Sequence, residues 1–161
     1  RDRRNIATHL VGVPVIVFAV VVLLSRPTLG TVGGAPVTPA LLAALAAGAW
    51  YMLLDRALGT LMAIVLAAML AVAAPLAAGP AVTWLGWGLG LFVAGWIVQF
   101  VGHAWEGRKP AFMDDVMGLL VGPLFVAAEL AFLFGLRGAL RAAIEARVGP
   151  TRSGRADGAA A

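Results

Sequence analysis

Five apolar runs, separated by short polar breaks, govern what this chain can fold into. They occupy residues 6–24, 39–54, 57–78, 81–101 and 116–136. At about 1.5 Å of rise per residue, roughly 20 helical residues cross the ~30 Å hydrocarbon core of a bilayer. Hydrophobic residues make up 61% of the 161 and charged residues 12%. A soluble domain carries about a quarter charged residues and close to half apolar ones. The excess apolar surface has to face lipid, so the fold class expected is all-α, a small polytopic bundle of transmembrane helices.

The charges support this. The formal net charge is +4, and every cationic residue except Lys109 is an arginine. They gather at the two ends and in one loop, as in a membrane protein, and form no stripe for nucleic acid. No cysteine is present, which excludes disulfides, zinc knuckles and thiol catalysis. The first run lacks an A-x-A-like cleavage site and more runs follow it, so it reads as a span and not a signal peptide. Position 1 is arginine, as expected of a fragment of a longer protein.

The organisation follows from the breaks. Prolines and glycines make 26–38 a loop. Asp55-Arg56 reads as a solvated pair between runs, and Gly79-Pro80 as a turn. Trp50, Trp84, Trp87 and Trp96 read as packing and interface anchors. Arg137, Arg141 and Glu145 recur every four residues, the spacing of one helix face. The expected domains are a transmembrane region over 1–136, an amphipathic helix on the membrane surface over 137–148, and a disordered tail over 149–161.

Topology adds a constraint. With Arg1, Arg3 and Arg4 in the cytoplasm, Arg108-Lys109 also falls inside after four crossings. A full fifth crossing would export Arg137, Arg141, Arg147, Arg152 and Arg155, against the positive-inside tendency. A fifth run that enters and returns near Pro123 keeps both ends inside. The expectation is therefore four full spans plus one broken or re-entrant segment, with both termini cytoplasmic. The alanine- and arginine-rich composition points to a bacterial inner membrane.

Polar residues at membrane depth are costly and are the first candidates for function. Gln99, His103 and Glu106, offset by four and seven, fall within roughly 60° of one another on a helix. Asn5 and His9 are also four apart, at the same membrane level in this topology. Two histidines and one or two carboxylates then converge, a set that suits Fe(II), Mn(II) or Zn(II). The plainer readings are hydrogen-bonded structural histidines, a Gln99 bonding across helices, and a surface ion pair between Glu106 and Arg108. Glu129 sits inside an apolar run and needs a proton, a cation or a place beside a metal's ligands.

Two stretches resemble a known family. One is Asn5-Ile-Ala-Thr-His9-Leu-Val-Gly-Val-Pro14. The other is Trp96-Ile-Val-Gln-Phe-Val-Gly-His103-Ala-Trp-Glu106-Gly-Arg-Lys-Pro110-Ala, followed by Gly122-Pro-Leu-Phe-Val-Ala-Ala-Glu129. Over roughly 5–135 the chain resembles the small membrane proteins typified by the yeast 2-hydroxy fatty acid dioxygenase of phytosphingosine degradation. The resemblance implies an Fe(II)-dependent dioxygenase that shortens 2-hydroxy fatty acids by one carbon, with dioxygen as co-substrate. It implies His9 and His103 as iron ligands, Glu106 and Glu129 as third ligand or neighbouring carboxylates, and Asn5 and Gln99 as orienting groups. Charge and position suggest Arg108 and Lys109 as partners of the substrate carboxylate. Family members often carry a further histidine just upstream of the Asn5 position. Residues 1–4 here are Arg-Asp-Arg-Arg, so that ligand is missing unless residues before Arg1 supply it.

Two other readings stand beside this one. The same ligands would serve a metal-dependent lipid hydrolase or hydroxylase. A non-enzymatic protein, either a small carrier or an assembly helper, would use Glu129 and Asp55, but it would need homo-oligomerisation to build a pathway and shows no inverted repeat. No G-x-S-x-G and no phosphate-binding glycine loop occurs.

Overall fold

A computed structural model describes residues 2–107 and 117–151. The chain is mostly helical: α1 (Arg3–Ser25), α2 (Pro39–Leu54), α3 (Arg56–Ala78), α4 (Ala81–Glu106), α5 (Met117–Leu133) and α6 (Gly138–Val148), with strands β1 (Gly30–Val32) and β2 (Ala35–Val37) between α1 and α2. Two compact units form, Arg1–Val13 with Ile97–Ala161, and Pro14–Trp96. Helices α1 and α4 contribute to both.

In the Pro14–Trp96 unit, Val21, Val22, Ala40 and Ala73 make a buried core, packed around by Phe18, Met69, Leu70 and Trp84. Large apolar side chains on its far faces are exposed, Leu53 at 85% and Val82 at 84% among them, as suits helices apolar enough to cross a membrane. The last carbonyls of a helix have no intrahelical partner. Here the Trp84 indole N–H donates to the Val22 carbonyl at 2.9 Å. Arg26 lies 4.9 Å over the Trp84 ring and donates to the Gly79 carbonyl at 3.2 Å. Trp84 thus does more than anchor: its polar edge caps α1.

The segment expected to be a plain loop contains a two-stranded hairpin. Val32 pairs with Ala35 across Gly33-Gly34, whose φ values of 59° and 81° are the left-handed geometry that a two-residue type I′ turn requires. Pro36 is accommodated because neither strand has a second neighbour among the described residues.

Asp55 is the whole connection between α2 and α3. Its extended backbone ends one helix, and its side chain accepts from the Leu58 N–H at 3.0 Å to start the next. Read from the sequence as a solvated partner of Arg56, it is an N-cap. The corner is tight: a Cβ on Gly59 would stand 2.6 Å from the Met52 backbone.

Three helices, α1, α3 and α4, are long and apolar enough to cross a membrane, and α5 with α6 adds a fourth candidate if the bent pair is one span. The second run, expected as a full span, is a 16-residue helix, about 24 Å long and short of the ~30 Å core. The fifth run does not break at Pro123. Helix α5 passes through that proline, whose missing N–H removes one backbone bond without ending the helix. The break lies between α5 and α6, which meet at 116°. Gly135 (φ 72°) closes α5: its N–H donates to the Phe132 carbonyl and that of Leu136 to the Ala131 carbonyl. This pair of bonds is a Schellman stop. Helix α6 buries none of its residues, and Arg141 donates to Glu145 at 2.9 Å along its surface. The tail read as disordered lies, from residue 152, outside the described residues.

Candidate functional site

Helix α4 does not stop with its apolar run at Val101. It continues to Glu106, so Gln99, His103 and Glu106 share one helical face. Helix α1 begins at Arg3, and Asp2 caps it, its carboxylate accepting from the Arg4 N–H at 2.7 Å. The side-chain hydrogen bond from Arg4 is the largest effect on Asp2 and holds its carboxyl below the usual range.

Asn5 joins the two helices. It is 8% exposed, and its amide donates to Glu106 Oε2. A carboxylate only accepts, so the amide orientation is fixed and Oδ1 turns to the Thr8 hydroxyl, 3.5 Å away. The backbone N–H of Asp2 donates to the other Glu106 oxygen at 3.3 Å. Gly102 allows this approach, since a Cβ there would come 2.6 Å from Asn5 Oδ1.

The Asn5 carbonyl also accepts from the Thr8 hydroxyl and lies 2.8 Å from Nδ1 of His9. A carbonyl cannot donate, so Nδ1 carries a proton and points it at Asn5, leaving Nε2 as the ring nitrogen able to face a ligand. The His9 and His103 rings stand 5.0 Å apart, centre to centre, at 81°. Phe125 of α5 meets His9 edge-on at 6.2 Å. Gln99 is 4% exposed, and its Oε1 makes no hydrogen bond among the described residues.

A partly open cavity of about 280 Å³ adjoins His9. Helix α1 lines it with Asp2, Asn5, Ile6 and His9, and α4 with Glu106. Helix α5 contributes Gly118, Val121, Gly122 and Phe125. Glu129 is buried on α5 at 8% exposure. Arg108 and Lys109 lie outside the described residues.

The donors fit a divalent ion in part. Two imidazoles sharing a metal through ~2.1 Å bonds have ring centres about 5 Å apart, which matches the observed separation. The fixed tautomer of His9, with Nδ1–H held by a carbonyl, is the usual arrangement behind a metal-bound imidazole. Among the described residues no group of three His, Asp or Glu side chains is close enough to hold an ion, so this pair supplies two donors, with Glu106 held beside them by Asn5. Thr8, Gly102 and Phe125 were not singled out from the sequence. Thr8 had a signal, its position three residues from Asn5 on one helix face, whereas Phe125 had none.

No solved structure matches the chain. The 2-hydroxy-palmitic acid dioxygenase MPO1 of Saccharomyces cerevisiae is 46% identical over 59 residues, covering 35% of this chain and 34% of the yeast protein. The matched stretch is thus about a third of that relative's length. The family described as 2-hydroxy-palmitic acid dioxygenase Mpo1-like matches residues 1–134. Since that match takes in the whole of the Asn5–His9 and Gln99–Glu106 arrangement, the chain belongs to the Mpo1-like family.

Proposed function

We propose that this protein is an Fe(II)-dependent dioxygenase that shortens 2-hydroxy fatty acids by one carbon. The observation that carries the reading is the pair of facing imidazoles, one with its tautomer fixed by the Asn5 carbonyl. His9 and His103 would hold the metal, and Glu106, which lines the same cavity as His9, would be the neighbouring carboxylate. Bound there, iron supplies the means to bring dioxygen and a 2-hydroxy acid into reaction. Balanced, the acid and dioxygen give the acid one carbon shorter, carbon dioxide and water. The C1–C2 bond breaks, and the electrons lost by C1 and C2 reduce the oxygen.

The chain's own groups prepare this chemistry. Asn5 orients His9 through its carbonyl, and at the same time its amide restrains Glu106. The Gln99 carbonyl is a buried acceptor that a donor from substrate or water would satisfy, since leaving it bare costs about 1–3 kcal/mol. Glu129 supports the arrangement as a buried carboxylate on α5. In this reading Arg108 and Lys109 receive the substrate carboxylate. The bilayer arrangement proposed has both termini in the cytoplasm, the apolar helices embedded, and α6 on the membrane surface, where its arginines meet anionic lipid.

The test is turnover. Purified protein loaded with Fe(II) should convert a 2-hydroxy fatty acid to the acid one carbon shorter only when oxygen is present, and His103→Ala should abolish this. Undiminished conversion by His103→Ala would refute the assignment.

A further inference from the structure

We propose that the face of α5 formed by Gly118, Val121, Gly122 and Phe125 is the wall along which the substrate's alkyl chain lies, and that Gly122 sets how long a chain is accepted. The proposal rests on the His9–His103 pair being the reaction centre. The four residues recur at helical spacing, so they share one side of α5. They line the same cavity as Asn5, His9 and Glu106. One wall is thus polar and hydrogen-bonding, and the other offers only hydrogen, methyl and aromatic surface. A fully polar ligand gains nothing from the second wall, and a fully apolar one leaves the first unmatched. The ligand class that satisfies both is an amphiphile with a polar head and a single alkyl chain.

Gly122 carries the specificity argument. Its φ is not in the left-handed region, so its backbone does not require glycine. Nor does packing: a Cβ there would find its nearest neighbour, Val13 Cγ1, at 4.0 Å, an ordinary contact. Glycine inside a helix is disfavoured relative to alanine. What glycine provides at this position is empty space in the cavity wall. The cavity, at about 280 Å³, sits at the low end of the roughly 300–1,000 Å³ of ligand sites. It has room for the head and a limited length of chain, so a side chain added to its wall shortens the chain that fits. Phe125, edge-on to His9, places this wall beside the reacting end.

The experiment uses the full chain in detergent, wild type and the variants Gly122→Ala and Gly122→Leu. Displacement of a fluorescent fatty acid by 2-hydroxy acids of graded chain length is measured alongside iron content and turnover. Gly122→Leu should weaken the longest acids by about ten- to a hundredfold relative to the shortest. Gly122→Ala should shift the profile the same way by less, with wild-type iron content. Because the alanine has room, it serves as the test if the leucine variant does not fold. An unchanged length profile in folded variants, or equal weakening at every length, overturns the proposal. A profile that shifts in a wild type and variants without turnover upholds the chain wall and removes the oxygenase reading. Turnover with a length profile indifferent to Gly122 does the reverse.

Discussion

Asn5 is the residue whose loss should be felt most widely, because it serves both His9 and Glu106. Its side chain holds the carboxylate and its carbonyl holds the imidazole. Only the first contact can be removed by mutation. Asn5→Leu should therefore lower iron affinity by about 10–100-fold, the usual cost of losing a group that supports a metal site, with His9 still in place. Titration with Fe(II) measures this, and wild-type affinity would show that Glu106 needs no support. Thr8→Val removes a hydroxyl that shares the Asn5 carbonyl with His9, and should cost about 0.5–1.5 kcal/mol of stability, with Thr8→Ser restoring it. The histidines, Asn5, Gln99 and Glu106 were all legible in the sequence, because spacing of four and seven places residues on one face. The carbonyl that fixes the His9 tautomer was not legible, since backbone hydrogen bonds carry no residue identity.

At the scale of elements, two caps make predictions. Asp55→Ala removes the start of α3 and leaves the α2–α3 corner unfixed, for a loss of about 1 kcal/mol in thermal or denaturant unfolding. Gly135→Ala forces a side chain into the left-handed position that ends α5, at roughly 1–2 kcal/mol. Asp2 gives a pH dependence. Its folded pKa lies below the ordinary value, so the cap's contribution is full above the ordinary carboxylate range and is lost as pH falls through the lowered value. Amide exchange in the first turn of α1 should quicken over that acid window and not near neutrality, and Asp2→Asn should remove the dependence. Five helices could be placed from apolar runs and α6 from its four-residue charge spacing, and the breaks at Asp55 and Gly79-Pro80 were legible, but the hairpin and the α5–α6 joint were not. Gly-Gly before Ala-Pro-Val announced a hairpin, and Gly135 after Leu-Phe announced a helix stop. The first was passed over as part of a loop, and the break in the fifth run was placed instead near Pro123, which α5 passes through.

For the molecule as a whole, the account joins a membrane-embedded bundle to an oxygen-dependent reaction on a lipid-like acid. Membership of the Mpo1-like family supports the reaction class, and the His9–His103 contact is where the proposal puts it. The topology is open to a separate check: a cysteine placed at Ala160 should be labelled from the cytoplasmic side and protected from a reagent confined to the other side. The central claim is that His9 and His103 hold iron together, and metal content tests it most directly. The chain, with any native residues preceding Arg1 restored, is purified without oxygen. Its metals are then determined by mass spectrometry for wild type, His9→Ala and His103→Ala. The account predicts stoichiometric iron in the wild type and its loss in both variants. A wild type without metal, or iron retained in either alanine variant, would contradict it.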